Sequence, residues 1–459
     1  MKFRVSSAQG FMRKYATEIT ANDDGERVCV AGWVHEKRDL GGVFFLVLRD
    51  RSGLAQITLH KHKGEGKAEQ EQEQEQEQEQ EQGLFERVRK VPRESVVAVE
   101  GRVKSEWKAP NGYEIIPERF EVLSEASQVL PLDTTGKVGA ELDTRLDARF
   151  MDLRTERTKE IFLIRSRVLK AVREFLTAER GFVEINTPKI VSAATEGGTA
   201  LFPISYFERE AFLNQSPQLY KQILMASGFD CVYEIAPIFR AEEHDTTKHL
   251  NEATSVDVEV AFADHEVVMK ILEELVAAVY SEVANYPGLE RLGVSLNVPE
   301  LPFRRVTYDE AVELLSEAGE EIEWGDDLGT SAEHRLGEQI GELYFVTDWP
   351  CATKPFYAQP AAAAGEGERI CNAFDLMHPR MELASGSQRV HSYELLKRKI
   401  EEKGLSADDF EFYLEPFRYG MPPHAGWGLG VERLLMTMLE VENIREVVLF
   451  PRDRRRLAP

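Results

Sequence analysis

From Val256 to Val260 valines alternate with acids, so that Val256, Val258 and Val260 fall on one face of an extended chain and Asp257 and Glu259 on the other. Strict alternation of this kind signals a β-strand, here near Glu252 to Phe262, whose apolar side must be buried. The run from Cys231 to Glu242 reads as its neighbour, with Arg240 and Glu242, two residues apart, on one face. The resulting hairpin carries charge in the middle of an otherwise apolar sheet. It is either a solvated face laced with surface ion pairs or the floor of a site. Beyond Asp230 the strands alternate with long connections rather than short βα repeats, which favours an α+β fold with an antiparallel sheet flanked by helices.

Gly426, Gly428 and Gly430 lead into a helix predicted to start near Val431, with Arg433 in its first turn. Glycines allow close backbone approach and a helix N-terminus favours an anion, although packing explains such glycines equally well. Neither a G-x-x-x-x-G-K-[ST] loop nor a dinucleotide fingerprint is present. Earlier, Ile161, Ile164, Val168, Val172, Phe175 and Leu176 recur at helical spacing. That helix is predicted to stop at Gly181, before a strand-like run from Phe182 to Asn186 that Pro188 ends.

The N-terminal third has a different texture. Arg27 to about Leu59, Ser95 to Val103 and Tyr113 to Leu123 alternate apolar and polar residues, with turns at Gly41-Gly42 and Asp50-Arg51-Ser52-Gly53. Five short strands with a helix-sized insertion before the fourth suit a small Greek-key barrel of the oligonucleotide-binding (OB-fold) type, spanning 1–123. Inside it the Glu-Gln alternation of 69–82 has no apolar face and reads as a solvated helix or as disorder. The stretch 124–149, with Pro131, Gly136 and Gly139, lacks sustained periodicity and reads as a hinge; a second domain takes up 150–459.

The length of 459 residues, 42% of them hydrophobic, accommodates these domains. There is no secretory h-region and no apolar run near the roughly 18 residues of a membrane span, so a soluble, cytoplasmic protein with no membrane partner is expected. A net charge of -24 repels polyanions at long range, and any RNA contact must rest on local basic patches. Cys29, Cys231, Cys351 and Cys371 are far apart, without C-x-x-C pairing, and read as reduced, buried thiols.

In order along the chain, the helix-strand segment ending at Pro188, the run Phe239-Arg240-Ala241-Glu242 and the run Gly428-Leu429-Gly430-Val431-Glu432-Arg433 resemble the three motifs of class II aminoacyl-tRNA synthetases. The similarity covers essentially the whole chain except the Glu-Gln tract, and its closest form is the aspartyl-tRNA synthetase of archaeal and eukaryotic type. The resemblance implies ATP, L-aspartate and tRNA as substrates, Mg²⁺ as cofactor, and a two-fold homodimer through the first motif.

By the same resemblance Arg240 would hold the α-phosphate, Glu242 the adenine or the tRNA end, His249 the outer phosphates, and Arg433 the γ-phosphate beside the adenine, with Leu250 and Gly430 completing the ATP site. Two arginines and a metal ion suit attack of a carboxylate on phosphorus, which needs distributed positive charge and no protein nucleophile. Asp375 and Glu382 match the family's metal ligands, with Ser385 completing that site. The runs Gln215 to Gln222 and Ser385 to Arg389 are similar to the aspartate-selecting segments. Lys221 and Arg389 would clamp the side-chain carboxylate, Asp257 and Gln218 would hold the α-ammonium, and Glu196 would close over the amino acid on the Thr195-Glu196-Gly197-Gly198 loop.

Two departures stand out: Ala253 lies where relatives often have an aromatic residue under the adenine, and Leu376 to Arg380 is atypical. In the barrel, Phe45, Gln56 and Glu114 match anticodon-reading positions, by stacking and base-edge hydrogen bonds. His35 and Pro110 stand where strictly tRNA-Asp-specific archaeal enzymes tend to have Trp and Lys, which implies charging of tRNA-Asn as well as tRNA-Asp. The rival readings are an asparaginyl enzyme, which typically carries an acid where Lys221 stands, an aspartate-ammonia ligase on the same scaffold, and a catalytically idle RNA-binding protein.

Overall fold

The structure is a computed structural model that describes residues 12–61, 82–127, 129–192, 201–243, 246–361 and 369–459. The chain separates into two compact units, Met1–Thr155 and Glu156–Pro459.

The first unit is a closed barrel in the order β1 (Arg27–Asp39), β2 (Val43–Arg49), β3 (Leu54–His60), β5 (Tyr113–Ser124), β4 (Val96–Ser105). A helix over 82–90 stands between β3 and β4, where the sequence called for an insertion. Residues 69–81 of the Glu-Gln tract lie outside the described residues. The inward faces of the strands form one apolar core with Phe44, Leu46, Ile57, Val99 and Ile115, sealed by Phe85 and Val88 of the helix. The stretch read as a hinge is tied to the barrel: Arg93 pairs with Asp133, and the buried Glu94 carboxylate accepts from Thr134, Arg49 and Arg154.

The second unit is built on an eight-stranded sheet, for which the strands are β6 (Val183–Glu184), β10 (Cys231–Phe239), β11 (Glu252–Ala261), β12 (Arg304–Thr307), β13 (Tyr344–Thr347), β14 (Ala373–His378), β15 (Met381–Gln388) and β16 (His424–Gly430). The order is β12-β13-β14-β15-β16-β11-β10-β6. The six strands from β13 to β10 pair antiparallel as expected, and parallel pairs close both edges, β12 with β13 and β6 with β10. A small sheet of β7 (Ile190–Val191), β8 (Pro203–Tyr206) and β9 (Arg209–Leu213) stands apart.

One side of the large sheet, with Val256, Val258, Leu429 and Trp427, is covered by the helices Glu156–Arg173, which continues in π form to Glu179, and His265–Ala284. Gly181, at φ 72°, ends the first of these in the left-handed conformation that glycine tolerates best. The opposite side bears Asp257 and Glu259 and is also covered, so it is no solvated face: both acids are almost fully buried.

One sequence expectation is overturned. Cys351 and Cys371 form a disulfide, with Cα atoms 5.0 Å apart, while Cys29 and Cys231 are free. The described chain on either side of Cys351 and Cys371 runs together. Backbone bonds from Cys351 N to Arg369 O and from Cys371 N to Trp349 O bring the two cysteines side by side. Separation along the sequence hid a proximity that this pairing creates.

Candidate active site

A single cleft over the charged face of the sheet gathers most of the predicted residues. Gln218, Arg240, Glu242, His249, Leu250, Asp257, Glu382, Ser385, Arg389, Gly430 and Arg433 all line it. Glycine spacing creates the room. In the register Gly428 lies between Asp257 and Ser385, and a Cβ there would stand 3.3 Å from Asp257 Oδ1. At Gly426 a Cβ would overlap the Glu259 carboxylate at 2.2 Å, so any other residue would push that acid out of place.

At one end of the cleft the charges are buried and matched. Arg389 donates from Nε and Nη2 to the two oxygens of Glu259, at 3.0 and 3.2 Å, and from Nη1 to Ser387 Oγ at 2.8 Å. Lys221 Nζ donates to Asp257 Oδ1 at 2.9 Å and to the carbonyls of Trp427 at 3.0 Å and Val258 at 3.3 Å, and lies 3.6 Å from Glu259. Two cations and two carboxylates thus make a compensated quartet, in which Glu259 holds the Arg389 guanidinium charged in spite of burial. Arg389 and Asp257 reach the cleft wall; Lys221 and Glu259 stand one layer behind it.

Lys221, expected as a clamp on the side-chain carboxylate, has its three N–H donors committed within the protein. The atoms left without partners are Asp257 Oδ2 and Gln218 Nε2. Glu196, with its loop, lies outside the described residues.

The other end is looser. β10 stops at Phe239, and Arg240 and Glu242 follow it as irregular chain, not as the predicted strand residues, though Arg240 N still bonds Asn251 O. Arg240 Nε is buried and without a partner. Arg433, in the helix Val431–Met438, lies 3.5 Å from Glu382 and also donates to its carbonyl. His249 Nδ1 pairs with Thr246 Oγ1 at 2.6 Å. Burial lowers the His249 pKa against the pull of Glu242, and Arg433, Arg240 and Lys248 lower it further, so the ring is neutral at pH 7. Beside Ala253, Ile238, Leu250 and Ile444 supply apolar surface, and Tyr357, the one Phe, Tyr or Trp among the described residues lining the cleft, lies against Arg389 instead.

The metal candidates depend on a bulge. Glu382 and Ser385 are three apart and would face opposite sides of a regular strand. The register shifts between Leu376 and Met377, so that Asp375 pairs with Ser385 while Met377 pairs with Glu382. Leu383 is the extra residue, and it returns Glu382 to the face of Asp375. Burial pushes the Asp375 carboxyl up, against the pull of Lys354 and with the push of Glu382. Its Oδ1 is buried without a hydrogen-bond partner. Two carboxylates and a hydroxyl suit Mg²⁺, which keeps waters and substrate phosphates as its other ligands; among the described residues no three acidic, His or Cys side chains form a ready cage.

Three residues that the sequence reading did not assign emerge here: Glu259, Lys354 and Glu333. Glu259 was legible only as one of two acids on a strand face. Glu333, on the helix Thr330–Ile340, has its carboxyl pushed up to about 7 by burial and by Glu382.

In the barrel, Phe45 opposes Thr58 and Gln56 is paired with Glu114 across the β3–β5 junction. Glu114 accepts from Thr58 at 2.7 Å, Lys104 at 2.8 Å and Gln56 at 3.5 Å; its carboxyl stays below the usual range although burial opposes this. His35 is the bulged residue of β1, with its ring against Arg49, and Pro110 opens the turn before β5.

The family model described as tRNA synthetases class II (D, K and N) matches residues 141–454, and the OB-fold nucleic acid binding domain matches residues 28–123. The chain is 58% identical over 452 residues to the aspartate–tRNA(Asp/Asn) ligase of Archaeoglobus fulgidus, covering 98% of this chain and all of that protein. It is 56% identical to the ligase of the same name from Methanothermobacter thermautotrophicus, over 97% of this chain and 98% of the relative. Among solved structures, asparaginyl-tRNA synthetase from Pyrococcus horikoshii with asparaginyl-adenylate superposes with a TM-score of 0.87 at 34% identity, over 97% of this chain and 99% of that one. The chain belongs to the class II tRNA synthetases, in the branch of these archaeal aspartate–tRNA(Asp/Asn) ligases.

Proposed function

We propose that this synthetase activates L-aspartate with ATP to aspartyl-adenylate, then transfers it to the 3′ end of tRNA-Asp and of tRNA-Asn. The observation that carries the reading is the Lys221–Asp257–Glu259–Arg389 quartet beside an arginine-lined cleft. The ends of the quartet that reach the wall match the two ends of aspartate. Asp257 Oδ2 accepts from the α-ammonium with the Gln218 side-chain oxygen beside it, the Gln218 Nε2 donor is left for a substrate oxygen, and Arg389 faces the side-chain carboxylate. Lys221, one layer behind the wall, holds Asp257 and Glu259 in place through its committed donors.

Because the quartet is neutral, selection rests on the direction of its donors, not on an excess of positive charge. An asparagine amide would turn its own N–H groups toward N–H groups and leave buried donors unpaired.

Arg240 and Arg433 hold the phosphates, so that the aspartate α-carboxylate meets the α-phosphorus in line. His249, with Nδ1 paired to Thr246 Oγ1, faces the outer phosphates. Asp375, Glu382 and Ser385 would hold Mg²⁺, which supplies neutralisation of the leaving pyrophosphate. In the barrel, Phe45 stacks an unstacked anticodon base beside Gln56 and Glu114, and His35 and Pro110 leave the third base loosely read. Leu163 and Val183, exposed apolar residues on the first-motif helix and strand, support a homodimer there. The protein works in the cytoplasm, with its tRNA substrates.

Purified enzyme is tested with tRNA-Asp and tRNA-Asn transcripts, each with aspartate and with asparagine. Aspartate on both transcripts is expected; asparagine-dependent pyrophosphate exchange would refute the choice of amino acid, and background charging of tRNA-Asn the relaxed specificity.

A further inference from the structure

Lys354 has no role in the reading above, yet it touches the metal candidates. Its ammonium donates to Asp375 Oδ2 at 2.6 Å and sits 3.8 Å from the centre of the Trp349 ring. The Lys354 side chain is 11% exposed and lines the cleft, while the carboxylate it meets is otherwise buried, with its second oxygen free of any hydrogen bond. The backbone at this point is strapped: Lys354 N bonds Cys351 O, and Cys351 is joined to Cys371, two residues before β14 begins. A fixed backbone and a long, unbranched side chain lying along an indole face describe a cation that can shift without disturbing the fold.

We infer that Lys354 is the resident counter-cation of Asp375: its ammonium occupies the carboxylate that a divalent ion needs, so ion and lysine compete for it. The inference rests on the assignment of Asp375 and Glu382 to the metal. A buried carboxylate beside Glu382 is costly to keep charged with no cation near it. Lys354 meets that need in the free enzyme, and it holds affinity for the bare ion low. Arrival of the ion together with ATP frees the ammonium, at the wall of the cleft, for a phosphate oxygen. The consequence is that the site discriminates metal–nucleotide from metal alone.

Mn²⁺ binding to the full-length protein without nucleotide, followed by electron paramagnetic resonance at pH 8, tests this directly. Lys354→Met should bind Mn²⁺ about ten- to hundredfold more tightly than wild type, the worth of a charge-assisted hydrogen bond. Lys354→Arg should return the affinity toward wild type, and Asp375→Asn should abolish binding. Lys354→Gln serves if the methionine variant does not fold. With ATP present the order should reverse, Lys354→Met binding Mn·ATP more weakly. Equal or weaker binding of bare Mn²⁺ by Lys354→Met and Lys354→Gln would overturn the competition while leaving the metal site standing. Absence of binding in every protein, with and without ATP, would remove the metal assignment and this inference with it.

Discussion

The two ends of one cleft are built on opposite principles. At the end proposed to take the amino acid, Lys221, Asp257, Glu259 and Arg389 have side chains at most 5% exposed, and every positive charge meets a carboxylate within 3.0 Å. At the end proposed to take the nucleotide, Arg433 is 27% and Glu382 34% exposed, 3.5 Å apart, and Arg240 Nε has no partner. A small substrate that differs from its rival by one amide must be recognised by groups that cannot move, because a relaxed donor would accept either. ATP brings four negative charges and its own metal, so its binding groups can be solvated and adjust as it arrives. The difference teaches that burial in this site tracks the need for discrimination.

The sharpest way to break that comparison is Lys221→Met. It leaves Asp257 buried beside a smaller cation count, a change of about 3–5 kcal/mol, so kcat/KM for aspartate should fall roughly a thousandfold with the KM for ATP nearly unchanged. Pyrophosphate exchange at varied aspartate and varied ATP separates the two; an equal rise in both KM values would show the ends to be one unit. Next is the strap beneath Lys354. Removing it by Cys351→Ser with Cys371→Ser, or by reduction, should lower unfolding free energy by about 3 kcal/mol through the freed loop, measured in urea. Metal–ATP affinity should fall more than aspartate affinity, since the loop carries Lys354 and not the quartet.

Arg433→Ala should raise the KM for ATP by about ten- to hundredfold, as expected for one charge-assisted contact, and leave aspartate affinity intact. Solvent can replace part of what is lost at that end, which is why the effect is smaller than at Lys221. The smallest effect concerns Glu333. Its carboxyl, pushed up to about 7 from the usual 4.5, binds its proton more tightly folded than unfolded. Its contribution to stability is therefore whole below about 4.5 and is lost as pH rises through 7. In the absence of metal and nucleotide, Glu333→Gln should gain about 1 kcal/mol over wild type between pH 5 and pH 8, allowing for solvent screening; a pH-independent difference would refute it.

Much of this was legible in the sequence because it depends on local periodicity. The alternation at Val256 to Val260 gave the strand and its two faces, and Gly426, Gly428 and Gly430 marked where backbones close on carboxylates. The five strands of the barrel were likewise legible as short alternating runs. Three features were not legible, each for its own reason. The Cys351–Cys371 bond depends on backbone pairing of the chain at 349–351 with that at 369–371. The common face of Asp375 and Glu382 depends on the Leu383 bulge, which breaks the period of two from which faces are read. Lys354 belongs to no strand or helix whose pattern would point to its target.

By itself the sequence determined which side chains could serve: cations, acids and glycines spaced so that one sheet face must carry charge. Only the tertiary structure decided how those charges are shared. It set Glu259 between Lys221 and Arg389 and made the expected pair of clamping cations part of a neutral quartet. The reason is physical: alternation fixes the direction in which a residue points, whereas the partner that neutralises a buried charge is chosen by packing between segments distant in the chain, as Lys221, Glu259 and Arg389 are.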